Sequence, residues 1–153
     1  MNLTKLNNLQ KTVLVIAGSD PSGGAGIQAD LKTLTSFGVY GMTAITALTE
    51  QNTNGVFDIL EIPVEFVVKQ INCCLSDINA NAVKIGMLHS ADLISAVLEA
   101  LFNNNIVSNK KVNIVLDPVM VAKGGHKLLK ENAIYSLKNF IKLSQPILTP
   151  NIP

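Results

Sequence analysis

The run Val13-Leu14-Val15-Ile16-Ala17 leads without a polar break into Gly18-Ser19-Asp20-Pro21-Ser22-Gly23-Gly24-Ala25-Gly26 and then Ile27-Gln28-Ala29-Asp30-Leu31-Lys32. A short apolar run rich in β-branched residues suits a strand buried on both faces, as in a parallel sheet. Beyond the glycines, Ile27, Leu31 and Leu34 recur at i, i+4 and i+7, one face of a helix. Strand, tight loop and helix in that order can present several backbone N–H groups to a polar or anionic ligand. The loop is no Walker A, because Gly24-Ala25 stands where Lys-Ser/Thr is required. Gly24-x-Gly26-x-x-Ala29, with Glu50 further on, fits the dinucleotide pattern, but Ser19 to Gly23 intervene where the first glycine should follow the strand closely. A plain strand–helix turn that needs its glycines only for packing is the remaining alternative.

The rest of the chain repeats the alternation. Met42 to Leu48 reads as a second buried strand that closes in the polar cluster Thr49 to Thr53. Asn54-Gly55 is a turn signal, and Val56 to Ile62 alternates as an edge or flap strand. Pro63 opens a helix whose buried face is Val67, Ile71, Cys74, Leu75 and Ile78. Ala82 to Ile85 is a short strand ending at Gly86-Met87. Ser90 caps a helix with Asp92 in its first turn, and that helix runs to Phe102. Lys111 to Leu116 is a strand ending at Asp117-Pro118. Ile134, Leu137 and Ile141 mark a last helix, and Ile147-Leu148 a last strand. This is α/β: a mainly parallel sheet with helices on both faces. Ligands in such sheets gather at the carboxyl ends of the strands. Those ends carry Gly18 to Gly26, Glu50-Gln51-Asn52, Gly86-Met87, Asp117 to Met120 and Asn151, so one site is the economical expectation.

Composition narrows the class. With 153 residues, 48% hydrophobic and 15% charged, the chain is long and apolar enough for one packed domain and is not a disordered one. A net charge of +1 with no basic cluster argues against a nucleic-acid partner. No run reaches membrane-spanning length, so the cytoplasm is the default location. Residues 1–11 read as a polar leader and 12–153 as the folded part. Cys73 and Cys74 are neighbours on a helix, which suits neither a structural disulfide nor a metal site. His89 and His126 are read as surface or loop histidines.

Single residues leave alternatives open. Asp117 could hold magnesium or orient a phosphate, or cap a turn. Gln51 could read an amino-substituted ring through its amide, or bond nearby backbone. Asp30 in mid-helix is most simply solvated. Met87 is a pocket wall or core. Lys123 beside Gly124-Gly125 could neutralise phosphate or be an exposed lysine. No Ser/His/Asp or Cys/His set can be assembled.

The block Ala17 to Thr33 closely resembles the opening of the hydroxymethylpyrimidine/phosphomethylpyrimidine kinases, of the ribokinase-like superfamily. The resemblance continues through Ile45 to Thr53, Lys84 to Leu88, Leu116 to Lys123 and Thr149 to Pro153, in family order. It implies ATP- and magnesium-dependent phosphorylation of 4-amino-5-hydroxymethyl-2-methylpyrimidine and of its monophosphate in thiamine biosynthesis, by a homodimer. It places Gly18, Asp30, Gln51, Met87 and Val119 around the pyrimidine, with Asp117 and Lys123 facing phosphate. Asn151 matches the asparagine of an Asn-x-x-Glu motif serving magnesium and phosphate. The sequence stops at Pro153, before that glutamate. It also lacks the glycine-rich anion hole and most of the ATP site, so the chain is expected to be an amino-terminal half, not catalytic alone, with Ile147-Leu148 an exposed edge. A pyrimidine-binding module without catalysis, a dinucleotide binder using Gly24, Gly26 and Glu50, and a pyridoxal kinase are the rival readings.

Overall fold

The structure, a computed structural model, describes residues 10–120 and 131–151. Five parallel strands form the main sheet in the order β2-β1-β5-β6-β7. They are β1 (Thr12–Ala17), β2 (Tyr40–Ile45), β5 (Ala82–Ile85), β6 (Asn113–Leu116) and β7 (Ile147–Leu148). β1 lies between β2 and β5 and pairs with both. Its central place explains why its sequence is an unbroken apolar run: neither face meets water.

Helix α1 (Gly26–Ser36) lies over β1 and β2 on one face. There Ile27 packs with Val15 and Ala17, backed by Val13, Leu34 and Ile45. Gly41 of β2 leaves room for the Leu31 and Leu34 side chains, so α1 sits close to the sheet. The other face carries α2 (Val64–Asp77), α3 (Ala91–Asn103) and α4 (Ile134–Ser144). Leu14, Ile16, Val83 and Ile85 meet Val67, Ile71, Leu93, Leu101 and Phe140 in the larger core. Each such side chain taken out of water contributes about 1.5–3 kcal/mol. Helices therefore cover both faces, as the alternation of elements implies. Ser90 caps α3 by accepting from the Leu93 N–H at 3.3 Å, with Asp92 in the first turn. Among the described residues β7 is the last strand of the sheet, and its Ile147 and Leu148 are 56% and 42% exposed.

One expected strand divides in two. Met42 to Leu48 does not continue as a single element: β2 ends at Ile45, and β3 (Ala47–Asn52) pairs antiparallel with β4 (Gly55–Glu61) in a separate hairpin. The break is Thr46, which is fully buried. Its N–H donates to Ala17 O, its carbonyl accepts from Ile62 N, and its hydroxyl donates to Met87 O at 2.9 Å. Gln70 of α2 holds the end of β2 by accepting from Ile45 N and donating to Ile45 O. The hairpin thus leaves the sheet over the carboxyl ends of β1 and β5. The polar cluster after Leu48 is strand β3 rather than loop, and the turn is Thr53-Asn54, as the Asn54-Gly55 signal suggests.

His89 also departs from expectation. It is 5% exposed, and its Nδ1 lies 3.4 Å from Glu61 Oε1 at the base of β4. His126, Gly124 and Gly125 lie outside the described residues. Cys73 and Cys74 are free thiols on α2. Burial pushes the Cys74 thiol up from its ordinary value, helped by Cys73 beside it. It is partly buried against the larger core, consistent with a small packing residue.

Candidate functional site

The glycine-rich loop after β1 closes on itself. Asp20, 2% exposed, turns its carboxylate into the loop. Oδ1 accepts from the Ser22 N–H at 2.8 Å and the Ser22 hydroxyl at 2.7 Å, and Oδ2 from the N–H groups of Gly24 and Ala25. The Gly23 N–H goes to Asp20 O and the Ile27 N–H to Gly18 O. Gln28 completes the set, accepting from the Asp20 N–H and donating to Ser19 Oγ. Burial alone would raise the Asp20 carboxyl, but the bonds from Ser22, Ala25 and Gly24 outweigh it and hold the carboxyl below its ordinary value. This corrects the expectation that these N–H groups await an anionic ligand: the chain's own carboxylate has taken Ser22, Gly24 and Ala25. It also removes the basis of a dinucleotide reading at Gly24 and Gly26. Glu50 lies across from Asp58 and is exposed, while its neighbours Thr49 and Gln51 line the cleft.

That cleft, about 270 Å³, opens at the carboxyl ends of the strands beneath the hairpin. The end of β1 contributes Gly18 and Ser19, the segment after β5 contributes Gly86 and Met87, and the hairpin contributes Thr49, Gln51 and Val56. Asp117 and Val119 follow β6, and Asn151 follows β7. Of the residues singled out in the sequence, Gly18, Gln51, Met87, Val119, Asp117 and Asn151 therefore meet around one space. The Thr49 hydroxyl donates to Ser19 O at 2.7 Å and lies 3.1 Å from Gln51 Oε1, tying the hairpin to the loop. Lys123 lies outside the described residues.

Asp30 is placed differently. It does not line the cleft; its Oδ2 accepts from Lys84 Nζ at 2.8 Å, and Lys84 does line it. Of the charged residues that line the cleft, Lys84 and Asp20 are the two to which the sequence alone assigns no role. A signal existed for each. Asp20 precedes Ser22 by two residues, the offset of an Asx turn. Lys84 is a lone charge in a short apolar strand, a place lysine seldom takes without a partner.

Gly18 faces Met87 closely: a Cβ on residue 18 would stand 2.8 Å from Met87 Cε. Methionine is flexible enough to move aside. Gly18→Ala is expected to push that methyl into the cleft, weakening small-ligand binding while leaving the thermal midpoint nearly unchanged; calorimetric titration beside thermal unfolding checks both.

A family model described as Phosphomethylpyrimidine kinase matches residues 20–153. The chain belongs to that family. The hydroxymethylpyrimidine/phosphomethylpyrimidine kinase of Escherichia coli (strain K12) is 46% identical over 140 residues, 92% of this chain and 51% of that protein. A crystal structure of phosphomethylpyrimidine kinase from Clostridium difficile 630 superposes with a TM-score of 0.82 at 46% identity, over 94% of this chain and 60% of that one. An ADP complex of Bacillus subtilis pyridoxal kinase gives a TM-score of 0.76 at 33% identity, covering 93% of this chain and 50% of that one. The chain thus spans about half the length of the relatives it matches. Its sheet and helices are those of a ribokinase-like fold. Among the described residues no helix is long and apolar enough to cross a membrane.

Proposed function

We propose that this chain forms the acceptor-substrate part of an ATP-dependent kinase. It would hold 4-amino-5-hydroxymethyl-2-methylpyrimidine, and then its monophosphate, for phosphorylation of the hydroxymethyl oxygen in thiamine biosynthesis. The observation that carries this reading is the cleft itself, where Gly18, Gln51, Met87, Val119, Asp117 and Asn151 converge in a member of this family. Met87 and Val119 would wall the flat ring, and the Gln51 amide can both donate to it and accept from it. Asp117 and Asn151 would face the phosphate side.

Magnesium fits this chain in a limited way. Among the described residues no group of three metal-ligating acids, histidines or cysteines comes together. Asp117 and Asn151 offer one carboxylate and one amide oxygen, a set suited to magnesium brought in on phosphate rather than held in a protein cage. Phosphoryl transfer depends on positioning and on stabilising the charge of the phosphoryl group. The chain spans about half the length of its relatives, and the resemblance implies that the groups doing so lie in the part it does not span, so the chain alone is expected to bind and not to turn over.

Calorimetric titration of the chain with the pyrimidine, followed by an assay with ATP and magnesium, tests both parts. Saturable pyrimidine binding without ADP release is the expected result. Preference for pyridoxal would move the chain to the other vitamin kinases of this fold, and absence of binding to either would end the reading.

A further inference from the structure

Lys84 occupies a costly place. It sits on β5 in register with Val15 of β1 and Val115 of β6, on the face that α1 covers. A lysine among sheet valines loses hydration that must be replaced. Asp30 of α1 replaces part of it through the 2.8 Å bond from Nζ, and both side chains keep some exposure, 26% and 22%. The ammonium has three donors, and Asp30 takes one. Gly86 clears the space around the others: a Cβ there would stand 3.1 Å from Nζ and 3.0 Å from the Ala17 Cβ. The ammonium thus borders the cleft beside Gly86, with Asp30 behind it.

We infer that Lys84 is a direct, charged hydrogen-bond donor to the ligand in the cleft, beside the Gln51 amide, and that Asp30 acts through it as a positioning residue. The inference rests on the proposed function and specifies how the ring is read. An aminopyrimidine ring carries nitrogen acceptors in its plane, and a charged donor fixed at one wall would select a ring that turns such a nitrogen toward it. A hydrogen bond involving a charged group, made away from bulk water, discriminates more than a neutral one. Asp30 would restrain a flexible four-carbon stem, lowering the entropy lost when the ligand binds.

The test is a double-mutant cycle read by calorimetric titration of this chain with 4-amino-5-hydroxymethyl-2-methylpyrimidine, with thermal unfolding alongside. Lys84→Met is expected to weaken binding about ten- to hundred-fold. Asp30→Asn should weaken it less, and in the Lys84→Met background should change it by less than about two-fold. With aminopyridine analogues in which one ring nitrogen at a time is CH, one analogue should bind the original chain and Lys84→Met alike. A merely structural lysine would not distinguish those analogues. If Lys84→Met does not fold, comparing Asp30→Asn with the charge-free double variant isolates the same contact. Folded Lys84→Met that binds like the original chain overturns the inference. So does Asp30→Asn exerting its full effect without Lys84, because Asp30 would then meet the ligand itself. If the original chain binds no pyrimidine, the proposed function fails and this inference with it; the other two results leave that function standing.

Discussion

Replacing Asp20 with alanine is expected to lower stability by about 2–4 kcal/mol, because it strands N–H groups of Ser22, Gly24 and Ala25 inside a loop built around one carboxylate. For a chain of this length that corresponds to a thermal midpoint lower by roughly 5–15 °C. Asp20→Asn should fall nearly as far, since one of its two polar atoms becomes a donor pointed at donors. The pH dependence separates this cause from a packing defect. The folded carboxyl lies below its ordinary value of 3.8: burial pushes it up, and the hydrogen bonds of Ser22, Ala25 and Gly24 more than offset that. A carboxyl depressed by folding stabilises fully above its unfolded value and loses that stabilisation as pH falls through the folded one. The gap in midpoint between the original chain and Asp20→Asn should therefore be constant near neutrality and shrink below pH 3.8. A gap that does not change with pH would mean that the ionised carboxylate is not what closes the loop.

What could be read in the sequence divides along the range of the forces involved. β1, the cap at Ser90 and the hairpin turn at Thr53-Asn54 are set by neighbours a few residues away, so their residue types announce them. The end of β2 is not. Ile45-Thr46-Ala47-Leu48 continues an apolar run, and the chain leaves the sheet there because Thr46 bonds to Ala17, Ile62 and Met87, which are distant in sequence. His89 was legible as a loop residue and not as a buried one, since Glu61, which lies 3.4 Å from its Nδ1, comes from a separate part of the chain. The cleft shows the same division. Strand ends indicated where Gly18, Gln51, Met87, Asp117, Val119 and Asn151 would gather, because parallel topology brings those ends together. The inward turn of Asp20 had a local signal in Ser22 two residues on, whereas the interposition of Lys84 before Asp30 joins residues 54 apart, which no spacing encodes.

The second large effect is expected at Gly26, where α1 begins with φ +56°. A side chain there would be held in the left-handed region, and its Cβ would run into the Gly18 carbonyl oxygen and stand 3.1 Å from the Asp20 nitrogen. Both obstacles are backbone and belong to the loop that Asp20 closes, so moving them disturbs the Ile27 N–H bond to Gly18 O and the Asp20 N–H bond to Gln28 Oε1. Left-handed strain of about 1–2 kcal/mol and a comparable overpacking term put Gly26→Ala at about 2–4 kcal/mol. Gly24 provides the internal control: no positive φ is recorded there, and an added Cβ would lie 3.7 Å from Asp20 Oδ2, ordinary contact distance. Gly24→Ala should be nearly neutral in thermal unfolding while Gly26→Ala is severe. Equal losses would mean that the loop needs flexibility throughout. Unequal losses would mean that it needs glycine only where the backbone turns left-handed, as at Gly26 where α1 passes under the end of β1, and the position of the cleft above it depends on that crossing.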